Sequence, residues 1–240
     1  MLRFYMLIIC FIPLIIFYLV WGHHMMRNLE KYTDEECYKY ATSLIESVKI
    51  HGRIHTDSYG QENLPKTGGY VMFPNHQGKY DALGIISTHA APCTIMMDEA
   101  RSHMPLVNEM LTIIKGCRLD KTNNRKQVEA ILDVTKQVKD GRRYIVFPEG
   151  GYEHNGNTLQ EFLPGAFKCA IKAKAPIVPV ALIDSYKPFG VNSLRKVTTQ
   201  VHYLKPLTYE EYKEMSSAEI AAYVKDKIRE VISSKTGQPA

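Results

Sequence analysis

The sequence lacks any close pair of cysteines. Its five, Cys10, Cys37, Cys93, Cys117 and Cys169, are odd in number and widely spaced, and no C-x-x-C occurs. That argues against a disulfide scaffold and a structural zinc site, and reads as scattered thiols in a reducing compartment. Several common chemistries leave no signature. No G-x-S-x-G elbow marks a serine hydrolase, and no G-x-x-x-x-G-K-[ST] or G-x-G-x-x-G marks a nucleotide site. H-E-x-x-H is absent as well. Charge of one sign is scarce: 30 Lys and Arg against 25 Asp and Glu leave +5. That is far short of a nucleic-acid-binding arm, so no nucleic acid partner is expected, yet it suits phosphate-bearing partners or an anionic membrane surface. With 45% hydrophobic and 23% charged residues, the 240-residue chain is neither disordered nor fibrous, and its length fits one domain with a short appendage.

Residues 4–21, FYMLIICFIPLIIFYLVW, carry no charge across 18 positions. As a helix rising ~1.5 Å per residue they reach about 27 Å, which predicts an N-terminal membrane helix that crosses or deeply enters a bilayer. Aromatic residues stand at both ends, and Pro13 predicts a kink that a membrane segment tolerates. A re-entrant or surface-lying helix is the alternative, because the run is short for a span. A cleaved signal peptide fits less well, since WGHHMM follows in place of a small-x-small site. Arg3 precedes the run, whereas Arg27, Lys31 and Lys39 follow it. The positive-inside rule then predicts a membrane location with the larger, C-terminal part on the cytoplasmic side.

Thr33 with Glu36 forms a capping-box pattern, and Cys37, Ala41, Leu44, Ile45 and Val48 repeat at helical spacing behind it. This amphipathic helix would lie on the bilayer or cover the core. From residue 69 the pattern alternates. Strands are predicted at 69–74, 92–97, 116–120, 144–147, 176–183 and 197–204, and helices at 104–115, 126–139, 164–174 and 216–233. The proline inside 176–183 predicts a bulge or an edge strand there. The fold class is α/β: a mostly parallel central sheet flanked by helices, with an N-terminal hydrophobic membrane helix. Residues 1–24 form the anchor, 25–64 an amphipathic helix and connection, and 65–240 the main domain.

Three loops at predicted strand ends carry chemistry. NHQGKYD sets His76 five residues before Asp81. A histidine serves as a general base near neutral pH, and a carboxylate on its other ring nitrogen fixes the tautomer. The same spacing also suits a loop histidine capped by a nearby carboxylate. FPEGG, from Phe147, follows a strand with glycines that admit a ligand to the backbone, and Glu149 can accept hydrogen bonds from hydroxyls. GCRLDKTNNRK gathers Arg118, Lys121, Arg125 and Lys126, which suit a phosphate monoester or form a solvated charge run.

The order of these blocks, closed by PIVPVA at 176–181, resembles the 1-acyl-sn-glycerol-3-phosphate acyltransferases, the lysophosphatidic acid acyltransferases of phospholipid synthesis, over roughly residues 65–205. The hydrophobic N-terminus and the helix after it also look like that family's membrane attachment. The resemblance implies that His76 and Asp81 are the catalytic dyad. It implies that Phe147, Pro148, Glu149 and Gly150 contact the acceptor and that Val178, Pro179 and Val180 lie near the acyl chain. The family's second block usually ends in an arginine that binds the acceptor phosphate. Here Lys121 stands in that place, with Arg118 and Arg125 as the other candidates, and lysine binds phosphate as a point charge without arginine's fork.

The implied reaction moves an acyl group from an acyl thioester, acyl-CoA or acyl carrier protein, to the sn-2 hydroxyl of a membrane lipid acceptor, 1-acyl-glycerol-3-phosphate. A thioester is already activated, so neither a protein nucleophile, a cofactor nor a metal is called for. Two further readings stand beside it: a non-catalytic membrane lipid-binding module, and a metal-dependent hydrolase with His76, Asp81 and Glu149 as ligands. Within the family, a different lysolipid or an amino-lipid acceptor is the other reading.

Overall fold

The computed structural model describes residues 2–237; Met1 and residues 238–240, the ends of the anchor and main-domain ranges above, lie outside them. The chain opens with α1 (Leu2–Cys10), α2 (Ile12–Arg27), α3 (Asp34–Gly52) and β1 (Ile54–Tyr59). β2 (Tyr70–Pro74) leads into α4 (Asp81–Thr88), β3 (Thr94–Asp98) into α5 (Glu99–Ser102) and α6 (Val107–Ile113), and β4 (Cys117–Leu119) into α7 (Asn124–Lys139). A long loop joins β5 (Arg143–Ile145) to α8 (Lys168–Ala173). β6 (Ile177–Ile183), α9 (Lys187–Gly190), β7 (Val197–Tyr203), α10 (Tyr209–Tyr212) and α11 (Ser217–Thr236) complete the chain.

The strands make one sheet in the order β1-β7-β6-β2-β5-β3-β4. The five from β6 to β4 run parallel, whereas β7 returns antiparallel to β6 and carries β1 parallel to itself. Side chains alternate across the sheet, so each face has its own core. Met72, Ile145, Val178 and Val180 pack with Tyr40, Ile45, Ile85 and Leu111 from α3, α4 and α6. Val71, Phe73, Tyr144 and Ile177 pack with Val134, Val138, Phe167, Ile220 and Ile228 on the α7–α11 side. The α/β class with a mostly parallel, helix-flanked sheet is therefore what the chain builds.

Four local expectations differ. β1 has no counterpart in the strand pattern because IHTDSY buries only Ile54 and holds its place at the sheet edge through backbone pairing with β7. Residues 81–88 form α4 where the pattern suggests only a loop. β6 is neither bulged nor an edge strand: all seven residues are buried, between β2 and β7. Its proline is tolerated because pairing with β7 starts one residue later, at Val180↔Tyr203, while the Pro179 carbonyl still accepts the Leu204 amide.

The apolar N-terminus is the fourth. The single helix expected over 4–21 is broken at Phe11 into α1 and α2, bent by 77°. Pro13, in the first turn of α2, removes an amide donor and crowds the carbonyl four residues back, which ends α1. Among the described residues no single helix is long and apolar enough to cross a membrane. Arg3 is not a free flanking charge; it is 2% exposed, with its guanidinium donating to the carbonyls of Pro188 (2.7 Å) and Arg195 (2.5 Å). Tyr18, Gly22 and Met25 pack inward from α2, and the Tyr40 hydroxyl donates to the Tyr18 carbonyl at 2.8 Å. Ile8, Ile9, Ile12, Ile16, Phe17 and Val20 stay exposed on the outer side. α3 begins at the expected capping box, where the Glu36 amide donates to the Thr33 hydroxyl and the Thr33 amide to the Glu36 carboxylate. It covers the core through Tyr40, Ala41 and Ile45.

Candidate active site

Five parallel strands bring their C-terminal ends to one edge of the sheet, where open α/β sheets bind ligands. The loop after β2 curls around a carboxylate. Asp81, with no solvent exposure, opens α4, and its Oδ2 accepts hydrogen bonds from the backbone amides of Gln77 (2.5 Å) and Gly78 (2.8 Å). The same oxygen lies 2.7 Å from Nδ1 of His76. Two amides and the ring nitrogen thus converge on one carboxylate oxygen at the start of a helix. The five-residue spacing is closed by this turn, and the imidazole keeps Nε2 for another partner.

The imidazole is held on two further sides. Phe147 stacks on it with ring centroids 4.1 Å apart, and Tyr152 meets it edge-on at 4.8 Å. Its side chain nevertheless remains 17% exposed, so the ring is fixed but not sealed. The loop after β5 supplies the next wall. Pro148 is buried and its carbonyl accepts the Leu163 amide. Glu149 has one oxygen bonded to the Gln160 amide at 2.7 Å and the other buried without a partner. Burial pushes the Glu149 carboxyl up to about 7, against the pull of the His76 backbone and Gln160; the nearby Asp81 charge adds to the rise. Gly150 sits at φ +70°, a left-handed conformation that suits glycine, and its carbonyl accepts Nζ of Lys121 at 2.5 Å.

The basic residues separate. Lys121 joins this edge and also ion-pairs with Asp98 at 3.0 Å. Arg118 turns toward α5 and α6, where its guanidinium donates to Ser102, Asn108 and Thr112. Arg125 pairs with Glu129 and Lys126 with Asp120. Val178 and Val180 are buried within β6.

Other contributors were not singled out from the sequence. Asn75 ties the end of β2 to β6, exchanging hydrogen bonds with both the amide and the carbonyl of Leu182. Gln77 donates to Asn157 (2.9 Å) and Leu182, and accepts from the Ser185 amide. Asn157 in turn bonds Asp184 through both backbone and side chain. Amide side chains in NHQG and NGN were the only available signal, and an isolated amide says nothing of its partner. Among the described residues, no three His, Cys, Asp or Glu side chains converge as a metal site.

The sequence model of the acyltransferase family matches residues 55–183. The chain is 30% identical over 133 residues to a 1-acyl-sn-glycerol-3-phosphate acyltransferase of Borreliella burgdorferi, covering 55% of this chain and 53% of that protein. It is 26% identical over 220 residues to the enzyme of the same name from Saccharomyces cerevisiae, covering 89% and 70%. The chain thus spans about half the length of the Borreliella relative. The crystal structure of the 1-acyl-sn-glycerophosphate acyltransferase from Thermotoga maritima superposes with a TM-score of 0.74 over 100% of this chain and 95% of that one, at 20% identity, so the two share a fold.

Proposed function

The chain belongs to the acyltransferase family, and we propose that it transfers a fatty acyl group from acyl-CoA or acyl carrier protein to the sn-2 hydroxyl of 1-acyl-glycerol-3-phosphate, yielding phosphatidic acid. The observation that carries this reading is the 2.7 Å contact between His76 Nδ1 and Asp81 in a ring that stays 17% exposed. With its Nδ1–H given to the carboxylate, the imidazole takes the acceptor's hydroxyl proton on Nε2. The freed oxygen bonds to the thioester carbon, and Asp81 stabilises the imidazolium that results. The tetrahedral oxyanion then collapses, the C–S bond breaks, and the proton returns from His76 to the departing thiolate. Such general-base help is typically worth about 10²–10⁴-fold, with positioning of the two substrates supplying much of the rest.

Phe147, Pro148, Glu149 and Gly150 form the acceptor side, with Lys121 at its rim. A carboxyl titrating near 7 presents an O–H donor for part of the time at neutral pH, which suits an acceptor oxygen at Glu149. Attachment is through lipid contact of the exposed α1–α2 face, on the cytoplasmic leaflet, without a span. Burial of Arg3 in the domain supports this, because a crossing helix would carry Arg3 to the opposite side. The test is turnover of lysophosphatidate with acyl donors by membranes containing the protein. His76→Ala should lose at least about a hundredfold in kcat; undiminished product would remove the base. Turnover of another lysolipid in preference to lysophosphatidate would move the acceptor.

A further inference from the structure

Most cations around the dyad are already engaged. Lys121 is held by Asp98 and the Gly150 carbonyl, Lys126 by Asp120, Arg125 by Glu129 and Lys187 by Asp184. Arg118 has three neutral acceptors. Arg101, exposed on α5, has no described ion pair: it meets the face of Tyr152, 5.5 Å from guanidinium to ring centroid, and feels the Asp98 charge, while Lys79 lies over Phe4 at 4.8 Å. Tyr152 in turn touches His76, at 4.8 Å between centroids. Together these contacts put the guanidinium no more than about 10 Å from the imidazole.

A phosphorylated acceptor fits within that bound. A hydroxyl on Nε2 lies about 3 Å from it, the phosphorus of a phosphate on the adjoining carbon follows after two carbons and one oxygen, and a guanidinium clasping that phosphate adds about 3 Å more. The backbone on both sides of Arg101 is tied down. Asp98 caps α5 by accepting the Ala100 amide at 3.0 Å, and Nε of Arg118 donates to the Ser102 hydroxyl at 3.1 Å, one residue past Arg101. Arg118 thereby acts as a positioning residue, and Asp98 ion-pairs with Lys121, where the family pattern leads one to look for an arginine, while also facing the Arg101 charge.

We propose that Arg101 is the acceptor-binding residue that grips the lipid's phosphate in a forked, charge-assisted contact, sharing at this edge the task of Lys121, which is already engaged by Asp98 and the Gly150 carbonyl. The proposal rests on the acyltransferase reading above and names its headgroup contact. Phosphate reaches such a site from the acceptor or from coenzyme A, and the two sources separate experimentally.

The experiment compares wild type with Arg101→Gln and Arg101→Lys in detergent, varying lysophosphatidate and acyl donor independently. Arg101→Gln should raise the acceptor's KM about tenfold or more while leaving kcat and the donor's KM nearly unchanged, and Arg101→Lys should recover part of the loss. Equilibrium binding of lysophosphatidate with no donor present should weaken by the same factor, and binding of uncharged monoacylglycerol should not change. A raised KM for acyl-CoA alone would reassign the residue to the donor and overturn the proposal. Equal losses for charged and uncharged acceptors would mean Arg101 merely steadies Tyr152, which also overturns it. Unchanged lysophosphatidate binding defeats it even if the wild type shows no turnover, whereas failure of wild-type turnover with Arg101-dependent binding defeats only the reaction.

Discussion

Asp81 meets His76 with the same oxygen that takes two backbone amides, so one buried carboxylate both closes the loop and orients the ring. Asp81→Asn separates these roles. The amide side chain can present its oxygen to the two N–H groups or to the imidazole, but its neutral charge stabilises no imidazolium and its NH₂ favours the wrong ring tautomer. The expected outcome is a fall in kcat of at least about a hundredfold with the acceptor's KM little changed. Steady-state kinetics on folded variant decide it, and a kcat within threefold of wild type would make Asp81 a loop anchor only.

Glu149 predicts a pH effect on stability. Its carboxyl is raised from the ordinary 4.5 to about 7, chiefly by burial, so the folded state binds this proton more tightly than the unfolded chain does. The contribution is therefore fully present below about pH 4.5 and is lost as pH rises through about 7. Glu149→Gln mimics the protonated acid and keeps a partner for Gln160. It should be more stable than wild type above pH 7, by roughly 1–3 kcal/mol, with the advantage vanishing toward pH 4.5. Urea unfolding at pH 5, 7 and 8.5 measures this. Parallel pH profiles for the two proteins would contradict it, and loss of acceptor turnover at constant stability would leave Glu149 a role in binding alone.

The strands that deliver the dyad were legible because YVMFP and IVPVALI are short apolar runs, and buried parallel strands carry no alternation to confuse the pattern. β1 was not, because an edge strand held by backbone pairing needs few apolar side chains. The His76–Asp81 spacing was visible; what closes it, two amides on Oδ2, is not a property of residue type. Long-range partners were hidden for a different reason. Gln77 and Asn157 lie 80 positions apart, and their match depends on where two loops meet after the sheet has formed. The apolar N-terminus shows the limit of composition, since 18 uncharged positions with Pro13 predict one kinked helix but not a 77° break into two helices packed on one body.

Arg118 was a phosphate candidate by charge, and its hydrogen bonds to Ser102, Asn108 and Thr112 join β4 to α5 and α6. Arg118→Ala leaves those acceptors short of a charged donor and should cost about 1–3 kcal/mol, a fall in Tm of several degrees for a chain of this size. Its effect on the acceptor's KM should stay below that of Arg101→Gln, since it acts through α5. Thermal unfolding and kinetics on the same preparation test both halves. An unchanged Tm with a tenfold KM rise would return Arg118 to the substrate.

Cys10 offers a probe of how the N-terminus meets lipid. It is exposed at the bend between α1 and α2, whereas Cys37, Cys93, Cys117 and Cys169 are buried. Burial pushes the Cys117 thiol up to about 11 and those of Cys93 and Cys169 to about 12, so a maleimide fluorophore should react with Cys10 under native conditions and spare the rest. Arg3 is locked to the Pro188 and Arg195 carbonyls, so both ends of the apolar run stay on the same body and the proposed attachment brings only its outer face into lipid. Helices lying in this way sink about 5–10 Å below the headgroups. Attached to Cys10, the dye should shift to the blue on addition of anionic vesicles. It should be quenched most by lipids brominated near the glycerol end of the acyl chain. No shift would detach this face from the membrane, and quenching that peaks at the bilayer centre would require a span and the release of Arg3 from the domain.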